Sequence, residues 1–352
     1  MRGTSNTILS SFVDQYHLQI SGDDLVFKKC RAYVLALCCL ASPAKAAGIE
    51  LFNSDPGLLG AIWYPCTAVP EDVPLGDLAA SPEIRLTGVK DCPVRGEKLP
   101  LVIFSHGRGG WFTMHHDTAE ALADAGFVVA AINHPGDNGK DSSHRNSLSI
   151  LASRPADMVR LLDFMLHDWK GRAAIHQARV GFFGFSRGGY TGLVLVGGNP
   201  DFLRIASHCT KASKSQDCEQ FRNGDIPPGP PHDARIRAAV VADPAETYPF
   251  TRDNLADIKI PLQVWRSELG GVVDASAIER VASSLPGKPD MHVVPAGHFA
   301  FLSPCLPQFA AAIPGLCTDM PAGFDRAAFH REFDATIVGF FREHLMSYGG
   351  TR

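Results

Sequence analysis

The chain predicts an α/β fold in which a mostly parallel central sheet carries helices on both faces and a cap-like insertion. Three observations carry that prediction. Short apolar runs alternate with segments of helical periodicity, no internal repeat interrupts them, and one run ends abruptly in a glycine-flanked serine.

Residues 60–65 read as a strand closed by Pro65, and residues 99–104 as a buried strand entering the glycine-rich Ser105-His106-Gly107-Arg108-Gly109-Gly110. A helix is expected over 115–125, a buried strand over 126–132, and a helix over 154–169, where Met158, Leu161, Leu162 and Met165 recur at helical spacing. The apolar run 179–183 is the strand before the serine, and 190–196 continues as the helix after it. Between 197 and 235 the pattern breaks into a polar, Pro- and Gly-rich stretch, read as an insertion that caps the site. Strands at 236–242, 260–265 and 291–294 and a closing helix over 324–346 complete one domain spanning 47–352.

Composition bounds the function classes. With 45% hydrophobic and 20% charged residues, the 352-residue chain is an ordinary globular protein. Its formal charge is -4, and no stretch gathers basic residues beside aromatics, which points away from a nucleic-acid partner. Lys28-Lys29-Cys30-Arg31, the apolar run 32–41 and Ser42-Pro43-Ala44-Lys45-Ala46 have the order of a secretory signal peptide, with cleavage expected after Ala46. The preceding 25 residues are polar, so a start near Val26 is expected. The run is too short for a bilayer span of about 20 residues, so no permanent membrane anchor is expected. Cleavage would remove five Lys/Arg and three Asp/Glu, taking the charge from -4 to -6, and would place the mature chain in the periplasm or outside the cell.

Six cysteines remain after the cut, in three close couples: Cys66 with Cys92, Cys209 with Cys218, and Cys305 with Cys317. An even count in an exported chain points to disulfides, with nearest-neighbour bridging the simplest pairing. Neither C-x-x-C nor paired-histidine spacing occurs, so no metal is expected.

The serine lies in Gly184-Phe185-Ser186-Arg187-Gly188-Gly189, the setting of a nucleophile elbow. A serine hydroxyl needs a general base, and the base needs an acid to hold its tautomer. In this arrangement both follow the serine, leaving His208, His232, His292, His298, His330 and His344 as base candidates. His298 is favoured because Gly297-His298-Phe299 directly follows the last strand. For the acid, the usual slot after strand 262–265 falls on Gly270, which cannot orient a histidine. Asp243, Glu268 and Asp274 remain, and Asp243 is favoured at the carboxyl end of strand 236–242. Three other groups have plainer readings: His115-His116-Asp117 as solvated or capping residues, residues 133–138 as a pocket rim, and Arg154 with Asp157 as a local ion pair.

The segments Trp63-Tyr64-Pro65, Phe104-Ser105-His106-Gly107-Arg108-Gly109, 126–131, the elbow, Ala242-Asp243-Pro244 and Gly297-His298-Phe299 together resemble the platelet-activating factor acetylhydrolase and predicted dienelactone hydrolase branch of the α/β-hydrolases. The resemblance implies an acid one strand earlier than usual, at Asp243, and an oxyanion hole from the backbone N–H groups of Arg108 and Arg187. Dienelactone hydrolases use cysteine where Ser186 stands, so their substrate is not carried over. The expectation is an exported serine esterase without cofactor, acting on a small-molecule or lipid ester. Alternatives are a lipid acetylhydrolase or cutinase-like polyesterase, and a catalytically degenerate binding protein.

Overall fold

The computed structural model describes residues 46–346, except 55–56, 80–83, 208 and 211. The expected signal peptide and the start near Val26 therefore lie outside the described residues, apart from Ala46, which opens the first strand.

Among the described residues, ten strands form one sheet: β1 (Ala46–Ser54), β2 (Leu58–Cys66), β3 (Glu71–Pro74), β4 (Arg85–Lys90), β5 (Leu99–Ser105), β6 (Val128–Ile132), β7 (Ile175–Phe185), β8 (Ile236–Ala242), β9 (Leu262–Ser267) and β10 (Asp290–Val294). Their order is β10-β9-β8-β7-β5-β6-β2-β1-β4-β3. Every pair from β10 to β6 is parallel, whereas β2 joins β6 and β1 in antiparallel register. The chain leaves β5 toward β6 on one side and reaches β7 on the other, so the carboxyl ends of β5 and β7 flank a topological switch point, where open α/β sheets place their sites.

The inner stretches of the central strands, residues 101–104, 128–132, 180–185 and 238–242, are apolar or glycine throughout because both faces are covered. In β5, Val102 and Phe104 enter one core layer and Leu101 and Ile103 the other, the period of two that a strand imposes. The first layer receives Leu122 from α1 (His116–Asp124) and Phe333, Ile337 and Phe341 from α9 (Arg326–Phe341). The second receives Met158, Leu161 and Leu162 from α2 (Ile150–Asp163), Leu193 and Val194 from α3 (Arg187–Leu195), and Val281 from α6 (Ala275–Ser284).

The 197–235 insertion contains two short helices, α4 (Phe202–Ala206) and α5 (Gln216–Asn223). A second excursion, after β10, carries α7 (Pro307–Ala312) and α8 (Pro314–Cys317). Each is stapled by a disulfide, Cys209–Cys218 in the first and Cys305–Cys317 in the second, while Cys66–Cys92 ties the end of β2 to the segment after β4. Among the described residues, no helix is long and apolar enough to cross a membrane.

Candidate active site

Ser186 is the hinge between β7 and α3, with φ 56° and ψ -119°, a region that side-chain-bearing residues rarely occupy. Closure of the turn depends on its glycines. A Cβ on Gly184 would lie 2.2 Å from the Gly188 carbonyl oxygen, and one on Gly188 would lie 1.9 Å from that of Ser105. The turn is pinned from β8, because Ser186 N–H donates to the Ala242 carbonyl at 2.9 Å and Ala245 N–H returns a bond to the Ser186 carbonyl at 2.9 Å.

The fold brings two of the anticipated partners to this serine. His298, in a 3-10 turn that follows β10, places Nε2 3.0 Å from Ser186 Oγ, and its Nδ1 lies 2.6 Å from Asp243 Oδ2. All three residues are buried. Asp243, at the end of β8 with φ 47°, also accepts the Ser267 N–H at 2.7 Å on Oδ1 and the Ser267 hydroxyl at 2.8 Å on Oδ2. With Asp243 in contact, Nδ1 of His298 carries hydrogen and Nε2 is left to accept from the serine. Ser267 was not anticipated; its position at the carboxyl end of β9, beside β8, is the signal that could have found it.

The rival carboxylates stand elsewhere. Asp274 is exposed and caps α6 through the Ser276 N–H at 2.9 Å, and Glu268 is exposed. Of the other histidines, His292 stacks on Trp265 at 4.2 Å, and His330 bonds the Ala300 carbonyl at 2.9 Å. His208 lies outside the described residues.

Across the cleft, the turn after β5 supplies backbone donors. The Gly107 carbonyl accepts from Gly110 N–H at 3.1 Å and from His106 Nδ1 at 2.7 Å. His106 Nε2 in turn accepts the His134 N–H, so the hydrogen sits on Nδ1. Burial, reinforced by the nearby Arg154 charge, holds His106 neutral by pushing its pKa well below the usual value. Because the peptide is planar and trans, the N–H of Arg108 points opposite to the Gly107 carbonyl, away from the buried imidazole. Arg187 opens α3, and its N–H is one of the donors a helix leaves unpaired at its start.

Ser186, His298, Arg108 and Gly109 line one cleft of about 410 Å³, walled by Trp111, Met114, Phe185, Phe299, Leu302 and Leu316. A neighbouring cavity of about 800 Å³ shares Arg108 and Arg145 with it and is bounded on its far side by insertion residues, among them Ile205 and Cys209.

Three sequence expectations are corrected. Arg154 and Asp157 do not pair with each other: Arg154 turns inward to Asp137 at 2.7 Å, and Asp157 meets His134 at 3.0 Å and Arg160 at 3.3 Å. A fully buried carboxylate in the preceding loop, between β6 and α2, out-competes the i,i+3 neighbour because burial strengthens a charge pair. Asn133, His134, Asp137 and Asn138 are buried under the site rather than on its rim. His115 stands at the N-cap position of α1 but is not solvated and makes no side-chain cap bond; its ring lies against the Phe183 and Phe185 rings, its pKa pushed down by burial to about 3. Asp117 pairs with His330 at 2.7 Å, and only His116 keeps a partly exposed pairing, with Glu120.

Asp117, His330 and Asp334 come close enough together to suggest a metal site. Within this cluster His330 Nε2 bonds the Ala300 carbonyl at 2.9 Å and Nδ1 stands 2.7 Å from Asp117 Oδ2, the arrangement of a buried ion pair. Beneath the cleft a second Ser-His-Asp line occurs: Ser105 Oγ lies 2.9 Å from His134 Nε2, and His134 Nδ1 lies 3.0 Å from Asp157. All three are buried in the layer under the glycine turn, so this line braces the scaffold.

A switch-point cleft with an elbow serine on one side and a glycine turn on the other belongs to the α/β-hydrolase fold. A ferulic acid esterase from Streptomyces cinnamoneus superposes with a TM-score of 0.59 at 19% identity, over 87% of this chain and 92% of that one. Within that fold the chain resembles the platelet-activating factor acetylhydrolase and dienelactone hydrolase-like branch. The family model for platelet-activating factor acetylhydrolase, isoform II, matches residues 82–151. Platelet-activating factor acetylhydrolases of Canis lupus familiaris and Bos taurus are each 51% identical, over 43 and 39 residues, or 12% and 11% of this chain. Those alignments span only 10% and 9% of the relatives' own lengths.

Proposed function

We propose that this chain is an exported serine hydrolase of carboxylic esters. The observation that carries the reading is the unbroken line from Ser186 Oγ through His298 to Asp243, at 3.0 and 2.6 Å, opening into an apolar cleft. The acetylhydrolase likeness over 82–151 supports the same chemistry.

In this reading, His298 Nε2 takes the Ser186 proton as Oγ attacks the ester carbonyl, and Asp243 stabilises the imidazolium. The N–H groups of Arg108 and Arg187 receive the oxyanion; loss of one such donor typically costs about 100- to 1,000-fold in rate. His298 then returns the proton to the departing alcohol, and water, activated by the same imidazole, clears the acyl-enzyme. The walls from Trp111, Phe299, Leu302 and Leu316 suit an apolar acyl or alkyl group. Export to the periplasm or medium is part of the proposal, and the three disulfides are compatible with it.

A lipid- or polymer-directed variant of this activity is favoured by Val272 and Ile313 at the cleft, which are 59% and 37% exposed. The deciding experiment combines fluorophosphonate labelling of the purified protein with hydrolysis of 4-nitrophenyl esters graded from acetate to palmitate, below and above their micellar concentration. Labelling at Ser186 with turnover of soluble esters supports the esterase, and activity only on micelles supports the lipid-directed form. A protein that neither labels nor hydrolyses is a degenerate binding protein, and the proposal falls.

A further inference from the structure

We infer that Asp137 is a positioning residue which locks the two halves of the oxyanion hole to each other. The inference rests on the esterase reading above and concerns a group that touches neither substrate nor triad. Asp137 is fully buried in the loop after β6. Its Oδ1 accepts the Gly109 N–H at 2.9 Å, one residue beyond Arg108. Its Oδ2 accepts from the Arg187 guanidinium at 2.9 Å and from the Arg154 guanidinium at 2.7 Å. One carboxylate thus grips the glycine turn that carries one proposed donor and the side chain of the residue that carries the other.

The remaining bonds of the two arginines extend the same clamp. Arg154 donates to the His106 carbonyl and, at 3.3 Å, to Ser105 Oγ, holding the root of the glycine turn from below. Arg187 donates to Glu246 at 2.6 and 2.9 Å and to the Arg145 carbonyl at 2.9 Å. The three hydrogen bonds that Asp137 accepts come from the turn after β5, from a residue that supports that turn and from the residue that starts α3, and the Arg145 guanidinium adds a looser ion pair at 3.7 Å. An oxyanion hole works by holding its donors in place before charge develops, so a shift of either half is felt in the transition state more than in substrate binding. Gly109 adopts φ +65°, so the turn has a glycine's freedom and needs an external tie to hold one geometry.

The test measures kcat and KM on 4-nitrophenyl butyrate, together with inhibition by phenylboronic acid, whose tetrahedral serine adduct places an oxygen in the hole. Asp137→Asn keeps the volume and an acceptor for Gly109 but presents an amide to two arginines. We expect kcat to fall about 10- to 100-fold, boronate affinity to fall with it, and KM to stay within about twofold. Because Asp137→Asn leaves Arg154 buried without its carboxylate and can prevent folding, Arg187→Gln is made in parallel. That change cuts the tie to α3 while Asp137 and Arg154 stay paired, and it should give the same kcat-selective loss, with Arg187→Lys partly restoring it.

Wild-type kcat and boronate affinity in a folded Asp137→Asn or Arg187→Gln would overturn the inference while leaving the esterase reading intact. So would a loss confined to KM or to thermal stability. Full activity in Ser186→Ala would withdraw both.

Discussion

His298 donates its backbone N–H to the carbonyl of Gly270 at 3.0 Å. The loop after β9 thus supports the candidate base through its main chain, at the position where an aspartate would ordinarily support it through a carboxylate. Gly270 has φ 60°, and a Cβ there would sit 2.7 Å from the Val273 carbonyl oxygen, so the position accepts only glycine without rearrangement. Contact with the imidazole falls instead to Asp243, one strand earlier.

Asp243→Asn should therefore lower kcat by up to about 10⁴-fold, because an amide favours the wrong imidazole tautomer. Asp274→Asn and Glu268→Gln should leave kcat near wild type. Asp274→Asn keeps a capping oxygen, so even its stability should change little. Steady-state kinetics on the three variants decide the matter: a crippled Asp274→Asn or Glu268→Gln beside a mild Asp243→Asn would move the acid to the later loop.

The strain at Ser186 yields a separate expectation. Ser186→Ala and Ser186→Gly both lose the hydroxyl and should both lose turnover, but only glycine relaxes the φ of 56°. Ser186→Gly should be more stable than Ser186→Ala by about 1 kcal/mol in urea unfolding. Equal stabilities would mean that the surrounding turn, and not the residue, absorbs the conformation.

The parts of the fold legible in the sequence are those whose signal is local. Residues 99–104 declare a doubly covered strand because every position is apolar, and the elbow declares itself because two glycines flank one serine. β1 and the β3–β4 pair were not foreseen: β3 and β4 mix polar and apolar residues and are strands through pairing, β4 with β1 and β3 with β4. The buried polar layer was illegible for a related reason. Arg154 and Asp157 stand three apart on one helix and read as partners, yet Arg154 meets Asp137, and Asp157 meets His134. Such a choice depends on which distant carboxylate the fold buries beside the guanidinium, and spacing along one helix carries no trace of it.

The Cys305–Cys317 bridge should matter for specificity as well as stability. It closes the segment that contributes Ile313 and Leu316 to the cleft. Replacing both cysteines with serine should cost about 2 to 4 kcal/mol of stability. It should also raise KM for long-chain esters more than for 4-nitrophenyl acetate. An unchanged ratio of the two KM values would show that this wall does not contact the acyl chain.

The histidines whose pKa burial depresses should make the protein sensitive to acid, against His330 and His116, which Asp117 and Glu120 raise in spite of burial, and His115 offers the cleanest measurement. Burial pushes its pKa down to about 3, whereas the unfolded chain binds a proton at about 6.5. Its contribution is thus fully present above pH 6.5 and is lost as pH falls toward 3, since only the unfolded state takes up the proton. His106 and His134, also depressed chiefly by burial, act in the same direction. Asp157, raised by burial to about 7, opposes them: its contribution is present below about pH 4 and lost as pH rises to 7. The wild-type curve sums these, so the useful quantity is the difference between wild type and His115→Leu, which removes one histidine from a site lined by Phe183 and Phe185. Between pH 7.5 and 4.5, the variant should lose about 2.5 kcal/mol less than wild type in urea unfolding. Parallel losses in the two proteins would mean that His115 takes up its proton in the folded state as readily as in the unfolded one.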